Sequence, residues 1–177
     1  MDTREQLPLD FPTDHVLTGS ERMTLSVGDY ACRFLDGTIP PVRFERKSLP
    51  DLFGTMTSGY PRFKREMGRA TAEGLTLILL VESPLLAVLN GTPRSQYSGE
   101  SMIQKLFTLM IRYRLTIIFC KGRVEMARYI REYCEAIGRE RVLSQQRHAR
   151  VFRGGEDRSV REGEGGPRLA PRPAGGA

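Results

Sequence analysis

Asp29, Glu45 and Lys47 are the residues of this chain whose types and spacing suggest chemistry. Side chains alternate across an extended strand, so Glu45 and Lys47 would project from one face and Arg46 from the other. Gly28-Asp29 closes an earlier extended-looking stretch. A hairpin between the two stretches would set Asp29 beside Glu45. Two carboxylates at one spot repel each other unless a cation neutralises them. A hard, oxygen-seeking ion such as Mg2+ or Mn2+ does this, and it polarises a phosphate or activates a water. Lys47 would then orient the attacking water or stabilise a pentacovalent phosphate. By geometry alone, a surface strand of mixed charges accounts for the same residues.

The elements that must position this group follow from patterning. Residues 23–27 and 31–35 look extended on either side of Gly28-Asp29, and Asp36-Gly37 followed by Pro40-Pro41 supplies turn chemistry. Residues 42–47 are the expected returning strand. Ser48 fits a helix N-cap, with Pro50 in the first turn and Asp51 where a carboxylate favours the positive helix end. A short helix to about Met56 follows, and a second runs from Arg62 to about Glu73. The second carries an apolar stripe of Phe63, Met67 and Ala70 opposite Arg62, Arg65 and Arg69. Residues 75–82 form a continuous apolar run, the mark of a strand covered on both faces. Residues 83–98 read as a loop, 99–114 as a helix, 115–120 as a second buried strand and 122–140 as a last helix. Apolar strands separated by helical crossovers predict an α/β fold with a mixed sheet.

Composition narrows the setting without choosing a function. Of the +6 net charge, half falls in residues 144–177, where seven Arg meet four acids. That balance permits binding to nucleic acid but does not demand it. The expected organisation is a domain over 1–143 and an Arg/Gly/Pro-rich tail over 144–177, with 150–177 disordered because apolar periodicity ends. Cys32, Cys120 and Cys134 are odd in number and lack CxxC spacing, which argues against a disulfide framework or zinc site. They read as reduced, mostly buried thiols. The polar N-terminus and short apolar runs suggest a soluble cytoplasmic protein with no membrane partner.

The stretch Val27-Gly28-Asp29-Tyr30, then Glu45-Arg46-Lys47 through Asp51-Leu52, resembles the GDx(n)ERKxxxD signature of the XPF-type (XPF/Mus/Hef) nuclease domain. Asp2-Thr3-Arg4-Glu5 matches that family's Asp-x-Arg-Glu element, so the resemblance covers residue 2 to about 140. It implies a restriction-endonuclease-like PD-(D/E)xK fold, with a mixed central sheet flanked by helices. It also implies an endonuclease using Mg2+ or Mn2+ on branched, flap or fork DNA in repair or recombination. Members in bacteria or phage would be nucleoid-associated. Asp29 and Glu45 resemble the family's metal-binding carboxylates and Lys47 its catalytic lysine. Asp51 and Asp2 match further acids that support metal binding or activity, and Arg4, Glu5 and Arg46 match charged motif residues that hold the site through ion pairs.

Arg4, Arg62, Lys64, Arg65 and Arg69 are the expected phosphate contacts, with a solvated helix face as the plain alternative. Tyr60 and Tyr97 would stack on bases or simply pack. The resemblance further implies a homodimer through the 99–114 and 122–140 helices, and no nucleotide cofactor. Three departures stand out. The stretch between Asp29 and Glu45 is long, Gly59-Tyr60 replaces the family's Gly-Arg pair, and residues 141–177 hold no helix-hairpin-helix. The position of Asp2 so near the start leads one to expect either further chain upstream or a very short first strand. A catalytically inert DNA-binding or scaffold partner is the alternative function, disfavoured because every motif acid is present. A sequence-specific restriction enzyme shares the fold but usually needs a recognition region.

Overall fold

A computed structural model describes residues 1–14, 17–92, 95 and 97–161. Its elements run β1 (Val42–Ser48), α1 (Leu49–Met56), α2 (Tyr60–Ala72), β2 (Thr76–Glu82), α3 (Leu85–Leu89), α4 (Gly99–Tyr113), β3 (Thr116–Phe119) and α5 (Arg123–Arg161). The three strands form a parallel sheet in the order β1-β2-β3. This is the α/β architecture the sequence suggests, with β2 central. Parallel neighbours need long crossovers, and α1–α2 and α3–α4 supply them.

The central strand shows why an unbroken apolar run is needed. Leu77, Leu79 and Val81 join the core formed with α1, α2 and α4, including Leu52, Met56, Phe63, Met67, Met102 and Leu106. The alternate residues Ile78 and Leu80 join a second core with Tyr30, Phe44, Met126 and Ile130, on the α5 side. Both faces are covered, so both alternation sets must be apolar. Each such side chain contributes about 1.5–3 kcal/mol of burial free energy.

Local signals hold at the β1–α1 junction. Ser48 Oγ accepts from Asp51 N at 3.3 Å, with Pro at the helix start. Helix α4 begins at Ser98 in the same manner. Its first residue, Gly99, packs so tightly that an added Cβ would meet Leu89 O at 1.9 Å. No side chain fits there without moving α3 or α4.

Four expectations change. The hairpin before β1 is reduced to an antiparallel bridge between Tyr30 and Phe44, and Met23 makes only a parallel bridge to Asp2. Gly28 turns the chain at positive φ (74°) just before that bridge, and Phe34 N donates to Thr38 O at 2.9 Å in a local turn with Gly37 at φ 83°, so the 34–38 stretch closes on itself and not on β1. The antiparallel part of the expected mixed sheet is therefore that single bridge. The loop over 83–98 contains α3, a short apolar helix. Cys32 and Cys134, expected as reduced thiols, are joined as a disulfide with Cα atoms 6.1 Å apart, while Cys120 is free and buried. Their separation of 102 positions hides the pairing from any spacing rule. Finally, α5 continues to Arg161 instead of stopping near 140. Arg, Leu, Gln and Ala over 141–150 are good helix formers that extend a nucleated helix without an apolar stripe; Gly154-Gly155 beyond them are not. The rest of the expected disordered tail, 162–177, lies outside the described residues.

Residues Met1–Ile137 form one compact unit and Gly138–Ala177 a second. Among the described residues no helix is long and apolar enough to cross a membrane.

Candidate active site

Strand β1 places its side chains as alternation requires. Phe44 and Arg46 face the α5 side of the sheet, and Glu45 and Lys47 face the α1–α2 side. The two faces then do different work.

On the α5 side Arg46 is clamped. Its guanidinium reaches Glu5 at 3.2 Å and Glu82 at 3.0 Å, all three being buried or partly so. Burial opposes the charge of Arg46, and the two carboxylates more than offset it. Glu5 also accepts from Leu7 N at 2.9 Å. This ion group ties the N-terminal segment to β1 and to the end of β2. Arg46 therefore stands apart from Glu45 and Lys47 although it lies between them in sequence.

On the other side Asp29 and Glu45 come together. Asp29 N donates to Phe44 O at 2.7 Å, and Arg46 N donates to Asp29 Oδ2 at 2.8 Å. The Gly28-Asp29 corner is thus stitched across β1. Lys47 Nζ donates to Glu45 Oε1. Glu45 is only 4% exposed. Burial, and then the charges of Asp29 and Glu66, push its carboxyl up to about 8 against the pull of Lys47. Burial also raises Asp29, with Glu5 and Glu66 adding to it and the Arg46 amide and Lys47 opposing it. Burial works against the charge of Lys47, yet Glu45 and Asp29 hold its ammonium above the ordinary lysine value.

Asp2 and Asp51 occupy other settings. Asp2 is buried, and its oxygens accept from Arg4 Nε at 2.7 Å, Arg4 N at 2.8 Å and Leu25 N at 2.7 Å. Burial would raise it, but these donors outweigh that and hold it at about 2. Its own amide donates to Asp29 O at 2.7 Å, so Asp2 acts on the site through the backbone. Asp51 is exposed in the first turn of α1 and accepts from Oγ of the N-cap Ser48 at 2.6 Å. Arg4 is largely exposed (67%) and feels the charges of Glu66 and Asp29, which places it at the rim. Arg62, Lys64, Arg65 and Arg69 are exposed along α2. Tyr60 and Tyr97 are partly buried against the core, and both rings flank Lys105 Nζ, at 3.9 Å and 5.3 Å, an ammonium that also donates to Met56 O.

Sequence reasoning missed Glu66 and Glu82. Glu82 ends β2 where an acid closes an apolar run, a signal that was visible. Glu66 lies within a helix read for its apolar and basic faces, and nothing in its spacing points to Gly28.

The donor set fits a divalent cation. Two hard oxygen donors sit in one corner and carry more negative charge than burial favours. Among the described residues no group of three or more His, Cys, Asp or Glu side chains is placed to hold an ion by itself. Water and phosphate oxygens would complete the shell, as is common for Mg2+.

The ERCC4 domain family model matches residues 1–133. Among solved structures, XPF from Aeropyrum pernix is similar in fold, with a TM-score of 0.52 and 18% identity over 74% of this chain. The chain spans 58% of that protein. Comparison with curated proteins finds no match.

The raised value of Glu45 has a consequence for stability. The folded state keeps a proton that the unfolded state releases, so this contribution is present at low pH and is lost as pH rises from 4.5 to about 8. Lys47 stays charged across that window and cancels as a constant offset. In chelator, wild type should lose stability relative to Glu45→Gln between pH 5 and pH 8 in denaturant titrations. Parallel pH profiles for the two proteins would refute the assignment.

Proposed function

The chain belongs to the ERCC4-domain family, a family of structure-specific DNA nucleases, and from that premise we propose that it is a metal-dependent DNA endonuclease. The observation that carries this reading is the corner where Asp29 and Glu45 share one buried site with Lys47. Acids that merely decorated a surface would not be raised by burial and by neighbouring carboxylates.

Asp29 and Glu45 are the residues that would hold Mg2+ or Mn2+. When bound, such an ion supplies charge neutralisation for the scissile phosphate and a more acidic water. The protein's own groups do the rest. Lys47, on the same strand face, orients the attacking water or donates to the phosphate oxygens as charge develops. Arg46 keeps β1 in register with the N-terminal segment, and the Arg46 amide fixes the direction of the Asp29 carboxylate. Arg4 at the rim, with Arg62, Lys64, Arg65 and Arg69 along α2, supplies positive charge for the DNA backbone. The family supports a branched, flap or fork substrate in repair or recombination, since the phosphate contacts alone carry no sequence information. A homodimer fits the exposed α4 residues Phe107, Met110 and Ile111, spaced along one helical face.

Two measurements test this reading. Labelled flap, fork, duplex and single-stranded DNA should be cut by wild type in Mg2+ or Mn2+, with a branched form preferred. Asp29→Ala and Lys47→Ala should each be slower by about hundredfold or more. An Asp29→Ala protein as active as wild type, or a wild type inert on all four, removes the catalytic assignment. In sedimentation, wild type should run as a dimer and Phe107→Asp as a monomer; equal masses would dismiss the α4 interface.

A further inference from the structure

Gly28 occupies a closed corner. Its φ is +74°, and a Cβ there would come 3.0 Å from Arg43 Cβ and 3.1 Å from Phe44 O. The peptides that follow are restrained from two directions. Asp29 N and Tyr30 N both donate to Phe44 O, at 2.7 and 3.0 Å, and Asp29 O accepts from Asp2 N at 2.7 Å. Strand β1 and the N-terminal segment provide those restraints.

A third direction comes from α2. Glu66 Oε1 accepts from Gly28 N at 3.3 Å, across 38 positions of sequence. Two turns further along, Glu73 Oε2 accepts from Ser26 Oγ at 2.6 Å. Helix α2 and its C-cap residue Glu73 therefore hold the 26–28 segment at two points seven residues apart. Glu66 lies half-buried between the apolar stripe of Phe63, Met67 and Ala70 and the exposed Arg62, Arg65 and Arg69. Its charge acts on Arg4, Asp29, Glu45 and Lys47, so it stands beside the whole site.

We infer that Glu66 is a positioning residue, whose carboxylate clamps the Gly28 amide and thereby sets where Asp29 presents its own carboxylate. The inference rests on the nuclease reading for its consequence, although the clamp itself does not. A hydrogen bond to an ionised acceptor is among the stronger kinds, and a half-buried N–H left without an acceptor is costly. The neighbouring peptide is the one that carries Asp29, so a loosened Gly28 is felt one residue later. Small displacements of a reacting group have large effects on rate.

The test compares full-length wild type, Glu66→Ala and Glu66→Gln, with Asp29→Ala as control. Glutamine keeps an acceptor oxygen for Gly28 N–H, whereas alanine does not. Glu66→Ala should lower the single-turnover cleavage rate about tenfold at unchanged DNA affinity, and Glu66→Gln should recover most of that loss. Independently of cleavage, the Gly28 amide should exchange with solvent faster in Glu66→Ala than in wild type, and not in Glu66→Gln. Unaltered Gly28 exchange in Glu66→Ala overturns the clamp, as does an equal defect in both variants. A loss of DNA affinity in place of rate assigns Glu66 to binding and overturns positioning. If Asp29→Ala cuts as well as wild type, the nuclease reading fails, and Gly28 exchange still decides the role of Glu66.

Discussion

Burying a carboxylate next to another carboxylate is among the more costly arrangements a fold can hold, and the Asp29–Glu45 corner is such an arrangement. Glu45 is almost fully covered, with Lys47 on one of its oxygens, and it is still pushed up to about 8. The surrounding structure prevents relief. Phe44 and Arg46 are locked into the opposite side of β1 by a core and an ion group, so strand alternation leaves Glu45 no other place to point. Asp29 is held by Phe44 O, by the Arg46 amide and by Asp2 N. Strain of this sort survives where the surroundings over-determine it, and the cation proposed for this corner would relieve it.

The acids of the motif divide by environment. Asp2 is held at about 2 by Arg4 and by backbone donors, and it serves the backbone beside Asp29. Glu5 and Glu82 are consumed by Arg46. Asp29 and Glu45 are shifted the other way, first by burial and then by neighbouring carboxylates, Glu5 and Glu66 on Asp29 and Asp29 and Glu66 on Glu45. Groups of one chemical type pushed in opposite directions support the proposed division, with Asp2 structural and Asp29 and Glu45 reactive.

Much of this was legible in the sequence where one element settles it. Alternation along β1 separates Arg46 from Glu45 and Lys47 before any coordinates exist, and Ser48 with Pro50 and Asp51 announces α1. The continuous run ending at Glu82 shows a strand covered on both sides. What stayed hidden depends on long-range geometry. Glu66 meets Gly28 because α2 crosses over the corner, and Cys32 meets Cys134 because α5 packs against the segment before β1. Tyr60 and Tyr97 flank an ammonium because Lys105 arrives from α4. The hairpin failed as an expectation because the 34–38 stretch closes on itself through Phe34 N and Thr38 O, leaving the Tyr30–Phe44 bridge, and a turn at Asp36-Gly37 looks the same in sequence with or without pairing beyond it.

The account is tested most directly by Mn2+ binding, followed by electron paramagnetic resonance at pH 8 without DNA. Wild type should take up Mn2+ at a site that Asp29→Asn and Glu45→Gln each weaken by about tenfold or more, a scale set by losing one charged ligand. Undiminished Mn2+ binding in either variant, or none in wild type, would contradict the proposal that Asp29 and Glu45 hold a divalent cation.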